Sequence, residues 1–237
     1  MSQVWSSIIA SFGRYRIKFY LRYIPEIKEM QAKKHQTAKW TVVATLLSIA
    51  LACTPVDGEQ GRTDLPVNLN GEAIEPLADV TTRAVVFFFV AVDCPISNRY
   101  APVINSISKR YGTEDVTFWT VYPDGEVTAA AVLQHQKDYD LTLPALRDPG
   151  YFLVELAGAE VTPQVAVFIP TEDETPAVKL IYSGRIDDQY VAFGKWRNEP
   201  QQEDLKEVLE AIALGSLLKP RTTKAVGCYI APWVSTN

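Results

Sequence analysis

The chain has 237 residues, 47% of them hydrophobic, with 23 Lys/Arg against 28 Asp/Glu and a formal net charge of −5. That is enough chain for one packed domain plus extensions. The acidic balance excludes nucleic acid as a partner, because phosphate binding needs a basic face.

Charge is unevenly placed. Residues 1–53 carry eight Lys/Arg and two Asp/Glu, and the remainder carries 15 and 26. Trp40 to Ala52 is an uncharged apolar run of thirteen residues behind Lys33, Lys34 and Lys39, too short to span a bilayer comfortably. It ends in Ala50-Leu51-Ala52-Cys53. A basic stretch, a short apolar core and small residues at the end read as a secretory leader over 1–53. Ala50-Leu51-Ala52 suits ordinary cleavage. Leu51-Ala52-Cys53 is similar to a bacterial lipobox, which would make Cys53 the lipidated first residue and the membrane a partner through the lipid. Met1 and Met30 are the two methionines, and a start at Met30 gives a leader of normal length. Residues 1–29 read alternatively as a basic amphipathic surface helix.

Residues 54–66 read as a polar Gly/Pro tether, residues 67–218 as the domain, and 219–237 as a C-terminal tail. Asn68 to Leu77 suggests a hairpin around Asn70-Gly71. Ala84 to Val92 reads as a fully buried central strand. It runs through Asp93-Cys94-Pro95 into a helix predicted over 98–111 and ended by Gly112. Val116 to Tyr122 alternates as a strand. Residues 126–139 read as a polar helix on which His135 is solvated, 144–150 as a loop, and 151–157 as a short helix. Thr162-Pro163 precedes strands at 165–169 and 178–183, joined by an acidic turn. After Gly184-Arg185 comes an aromatic loop, 187–200, suited to a lid or partner surface. Residues 202–213 form a closing helix.

The three cysteines, Cys53, Cys94 and Cys228, form no CxxC pair, which excludes a zinc ribbon. Two histidines argue against a multi-histidine metal site, and no metal or other cofactor is expected. Cys94 stands between a buried strand and a helix N-terminus, where the helix dipole favours the thiolate. Pro95 suits the first helical position. Asp93 opposes the thiolate by charge. The alternative for Cys94 is a buried structural thiol. Pro163 fits a strand start. Cys228 reads as a resolving partner for Cys94, a co-ligand for soft Cu(I), or neither. Arg185 would offset Asp93, bind an anionic ligand, or be solvated.

Strand–Cys–Pro–helix followed by Thr162-Pro163 resembles the thioredoxin superfamily. Asp93-Cys94-Pro95-Ile96-Ser97-Asn98-Arg99-Tyr100, Val161-Thr162-Pro163, Gly184-Arg185-Ile186-Asp187-Asp188-Gln189-Tyr190 and Ala225-Val226-Gly227-Cys228 resemble exported bacterial redoxins over roughly 65–230. Those are relatives of the alkyl-hydroperoxide-reductase/thiol-specific-antioxidant group and of tethered thiol–disulfide oxidoreductases. The resemblance implies an α/β thioredoxin-like fold, a central mixed sheet flanked by helices, with a redoxin-type N-terminal hairpin. It implies a cis Thr162–Pro163 bond facing Cys94, with Pro95, Thr162, Pro163 and Arg185 on the substrate side.

The implied activity is extracytoplasmic thiol–disulfide exchange, in the periplasm or cell envelope. Cys94 is the nucleophile, and Cys228 or an external thiol resolves the mixed disulfide. Partners are then protein or small-molecule thiols and disulfides and an external reductant. Two departures keep other readings open. Ser97 replaces the second thiol of Cys-x-x-Cys, which admits a non-enzymatic Cu(I) carrier or partner-docking module. A thiol peroxidase, an antioxidant activity, is the third reading; Ala91 stands where peroxiredoxins place Thr three residues before their cysteine. The tail has the length to bring Cys228 to Cys94, and a disulfide there needs Cα atoms about 4.4–6.8 Å apart.

Overall fold

The computed structural model describes residues 65–78, 80–171, 177–216 and 218–231. All belong to the compact unit Val56–Asn237. The leader, Cys53 and most of the tether lie outside the described residues.

In chain order the elements are β1 (Ala84–Phe89), α1 (Pro95–Tyr111), a 3-10 turn (Gly112–Glu114), β2 (Val116–Tyr122), α2 (Ala129–Asp138), β3 (Ala145–Arg147) and α3 (Phe152–Ala157). They continue with β4 (Val161–Thr162), β5 (Gln164–Pro170), β6 (Val178–Gly184), β7 (Tyr190–Ala192), β8 (Lys195–Trp196), α4 (Asp204–Ala213), β9 (Arg221–Thr222) and β10 (Cys228–Tyr229). Six strands form one mixed sheet in the order β3-β2-β1-β5-β6-β9.

β1 is central because every residue in it is apolar and buried on both sides. It pairs parallel with β2, Phe87 beside Trp119, and antiparallel with β5, Phe89 beside Gln164. Its side chains alternate between two cores. Val86 and Phe88 face the cluster of Ile104 and Ile107 from α1, Val132 from α2, and Leu205 and Leu209 from α4. Phe87 and Phe89 face Leu153 and Val154 of α3, with Phe168 and Leu77. Helices on both faces of a mixed sheet give three layers.

The long elements fall where the apolar pattern puts them, and β2 matches its predicted limits. Three differences have physical reasons. β1 stops at Phe89 because the chain turns at Ala91–Asp93 to start α1. Pro144 opens a three-residue strand, β3, parallel to β2, rather than a loop. The segment after residue 218 is paired rather than loose: β9 runs parallel to β6 and β10 antiparallel to β4. The N-terminal hairpin is an isolated bridge, Val67 to Ala73, closed by the Gly71 N–H on the Asn68 carbonyl at 3.0 Å.

Candidate active site

Cys94 is the N-cap of α1, with Pro95 in the first helical turn. Its N–H returns to the Ala91 carbonyl at 3.3 Å, and its own carbonyl accepts the Asn98 N–H at 3.0 Å. The side chain is 0% exposed. The thiol donates to the Thr162 carbonyl at 3.0 Å. Thr162–Pro163 is a cis peptide bond joining β4 to β5, so β1, α1 and β5 converge on the sulfur.

Cys228 arrives from the far end of the chain. β10 lies antiparallel to β4 with Cys228 opposite Thr162 and Tyr229 opposite Val161. The Ile230 N–H reaches the Glu160 carbonyl at 3.0 Å, and the Thr162 hydroxyl donates to the Cys228 carbonyl at 3.5 Å. Each thiol bears on the other's acidity, and the two split. Burial pushes the Cys94 thiol up, but the Cys228 thiol and the Ser97 N–H and hydroxyl favour the thiolate more strongly, and its pKa falls below the ordinary value. Burial, the hydrogen bond to Cys94 and then the Cys94 and Asp93 charges push Cys228 up to about 12. The Asp93 charge thus bears on Cys228 as well. Ser97 Oγ is buried and has no hydrogen-bond partner beside the neutral thiol.

His135 differs from expectation. It is only 4% exposed, with Nε2 2.8 Å from Asn98 Oδ1 and Nδ1 2.9 Å from the Tyr122 hydroxyl. Asn98 Nδ2 donates to the Val92 carbonyl, which turns Oδ1 toward the ring. Nε2 therefore carries the proton and Nδ1 accepts from Tyr122. Burial, opposed by the Asp138 charge, lowers the His135 pKa and holds the ring neutral. The network braces the turn before Cys94. Its signal in the sequence is faint: one histidine among glutamines, with both partners distant along the chain.

Arg185 has partners other than the cysteine. Its Nε donates to Asp204 Oδ2 at 2.7 Å and an Nη to Gln202 Oε1 at 2.7 Å, which ties the end of β6 to the start of α4. The aromatic loop forms the β7–β8 hairpin against α1. Tyr100 donates to Asp187 at 2.5 Å, and the Arg99 guanidinium lies 5.0 Å from the Trp196 ring centre. Val191, Phe193 and Trp196 are exposed. A cavity of about 260 Å³ adjoins Cys228, walled by Ala91, Asp93, Asp124, Tyr151 and Ile230.

No group of three or more His, Cys, Asp or Glu side chains converges among the described residues. The soft donors brought together there are Cys94 and Cys228. No described helix is long and apolar enough to cross a membrane.

The mixed sheet, flanking helices, N-capping cysteine and facing cis proline make this a thioredoxin-like fold. No family model matches the chain, and no curated protein does. Solved structures are similar to it. A hypothetical protein from Sinorhizobium meliloti 1021 superposes with a TM-score of 0.57 at 19% identity, over 72% of this chain and 91% of that one. An uncharacterized conserved protein from Geobacillus kaustophilus gives 0.57 at 19% identity, over 73% and 90%. The exposed lipoprotein thioredoxin of Streptococcus pneumoniae strain TIGR4 gives 0.43 at 22% identity, over 62% and 95%.

Proposed function

We propose that the protein is an extracytoplasmic thiol–disulfide oxidoreductase in which Cys94 is the nucleophile and Cys228 the resolving thiol. The observation that carries this is the pair of thiols at the carbonyl before cis Pro163, the Cys94 pKa lowered and that of Cys228 raised to about 12. The more acidic thiol is the one that attacks as thiolate, and the other is held protonated as its donor.

The step balances without a cofactor. Cys94 thiolate attacks one sulfur of a substrate disulfide, forming a Cys94–substrate disulfide and releasing the second substrate sulfur as thiolate, which takes a proton from solvent. Cys228, deprotonated as it attacks, displaces the first substrate sulfur and closes Cys94–Cys228. The substrate disulfide is reduced by two electrons and the protein dithiol oxidised by two. An external dithiol then reduces the protein. Pro95, Thr162 and Pro163 frame the approach to the sulfur. A secretory leader over residues 1–53 would put this chemistry in the periplasm or cell envelope, and lipidated Cys53 would hold it at the membrane.

Turnover of a self-quenched fluorescent disulfide with a dithiol reductant tests the reading. Wild type should turn over, Cys94→Ser should lose all activity, and Cys228→Ser should accumulate a mixed disulfide visible by intact mass. Full activity in Cys94→Ser would overturn it. Two apposed sulfurs also suit two-coordinate Cu(I). Stoichiometric copper after anaerobic loading, lost in both serine variants and accompanied by no turnover, would assign the site to a carrier instead.

A further inference from the structure

Between β6 and α4 the chain inserts a hairpin that adds no strand to the six-stranded sheet. β7 and β8 pair only with each other, Tyr190 opposite Trp196 and Ala192 opposite Lys195, and Gly194 turns between them at φ +71°. The base of this hairpin is fixed. Asp187 and Asp188 are buried. Asp187 accepts the Tyr100 hydroxyl at 2.5 Å, and Asp188 receives the Arg197 guanidinium at 3.2 Å. The Arg197 N–H reaches the Gln189 carbonyl at 2.8 Å, and the Tyr190 ring packs 5.6 Å from that of Tyr100 on α1.

The tip is built differently. Val191, Phe193 and Trp196 are 53%, 68% and 53% exposed. Apolar side chains held out in water on a braced base mark an interaction surface. Their charge setting is unlike the rest of the domain. Residues 189–200 carry Lys195, Arg197 and Glu199, and the Arg99 guanidinium stacks 5.0 Å from the Trp196 ring centre. That is three cations to one acid, on a chain that from residue 54 onward carries 15 Lys/Arg and 26 Asp/Glu.

Resting on the envelope location proposed above but not on the thiol chemistry, we infer that the β7–β8 hairpin is a membrane-contact element. Val191, Phe193 and Trp196 enter the headgroup region of an anionic bilayer, and Arg99 and Lys195 meet lipid phosphates. Tryptophan rings settle at that depth, and aromatic side chains beside cations are the pattern of interfacial contact. Three apolar side chains are few for a protein partner, whose standard interface takes about 800 Å² a side; a lipid surface needs no matching shape. A second copy docked tip to tip would set Lys195 against Lys195, which like charge opposes. Chain length favours the same occupant. Leu65 lies twelve residues after Cys53, a reach of at most about 43 Å. A lipid on Cys53 would therefore keep the domain at the surface, where a weak contact acts at high effective concentration.

Photocrosslinking in the full chain reads the contact at one position, apart from any held by the leader. The photoreactive residue p-benzoylphenylalanine replaces Phe193 or, as a control, Phe152, which is exposed on α3. On vesicles of phosphatidylcholine and phosphatidylglycerol, irradiation should attach at least tenfold more phospholipid at position 193 than at 152, read by intact mass. Lys195→Glu should cut the yield at 193 at least threefold on these vesicles and leave it unchanged on phosphatidylcholine alone. Trp196→Ser should cut it on both. Flotation of the same samples reads the anchor separately. Protein that floats but gives equal lipid yields at the two positions, or crosslinks at 193 chiefly to a second copy, would overturn the inference and leave the leader reading standing. Lipid crosslinks at 193 in protein that does not float would support the hairpin contact and sink the anchor. Neither flotation nor crosslinks would overturn both.

Discussion

Cys94 owes its acidity to Ser97 beside it on α1 and to Cys228 from the far end of the chain. The capping position and Pro95 are legible in sequence, because a buried run followed by Cys-Pro has few other placements. The cis Pro163 contact was legible through resemblance. The approach of Cys228 stood as one of several open readings of that residue, but the β10–β4 pairing that brings it there was not legible, since a two-residue pairing made across more than 60 residues leaves no local pattern. His135 was misplaced for a related reason: polar neighbours on α2 mark an exposed helix, while Tyr122 and Asn98 bury the ring. The effect of the Cys228 thiol on Cys94 makes a prediction. Cys228→Ala removes the largest effect that lowers the Cys94 pKa and leaves burial, which raises it. The Cys94 titration, followed by thiolate ultraviolet absorbance, should move to higher pH in Cys228→Ala and less so in Cys228→Ser, which retains a donor. An unmoved titration in Cys228→Ala would mean that the helix terminus and Ser97 suffice.

Among the elements, those long enough to show a period of 2 or 3.6 were predictable, whereas β3, β9 and β10, of two or three residues, carry no period. Their positions come from what they close: β3 and β9 extend the sheet at its two edges, and β10 covers Cys94. The Gly-Arg turn after β6 shows the same limit. Its proximity to the cysteine in the sequence-based reading gave Arg185 a substrate role, but the start of α4 competes for it and holds it. Asp204 is buried and receives the guanidinium of Arg185 at 2.7 Å and that of Arg221 at 3.6 Å. Arg185→Ala leaves that carboxylate with the longer partner. It should cost about 2 kcal/mol in chemical denaturation, the scale of a hydrogen bond to a charged group, and leave the Cys94 titration in place. A Cys94 shift with no stability loss would return Arg185 to the site.

Over the whole molecule, stability should carry an acid-side signature set by a buried carboxyl rather than by the thiols. Asp148 is 0% exposed, between β3 and α3. Oδ2 accepts the Leu153 and Val154 N–H groups at 2.9 and 3.0 Å, while Oδ1 has no partner. Burial raises its pKa to about 6, outweighing the backbone donors that favour the charge. The folded state thus binds this proton more tightly than the unfolded chain, whose Asp titrates near 3.9. The contribution is fully present below about pH 4 and is lost as pH rises through about 6. Asp148→Asn keeps the acceptor for α3 and removes the titration. Subtracting its melting temperature from that of wild type cancels every group the two proteins share. That difference should fall from about pH 4 to about pH 6 and be level above about pH 7. A difference that is flat throughout, or that grows as pH rises, would show that Asp148 stays ionised in the folded protein and that water or local opening reaches Oδ1.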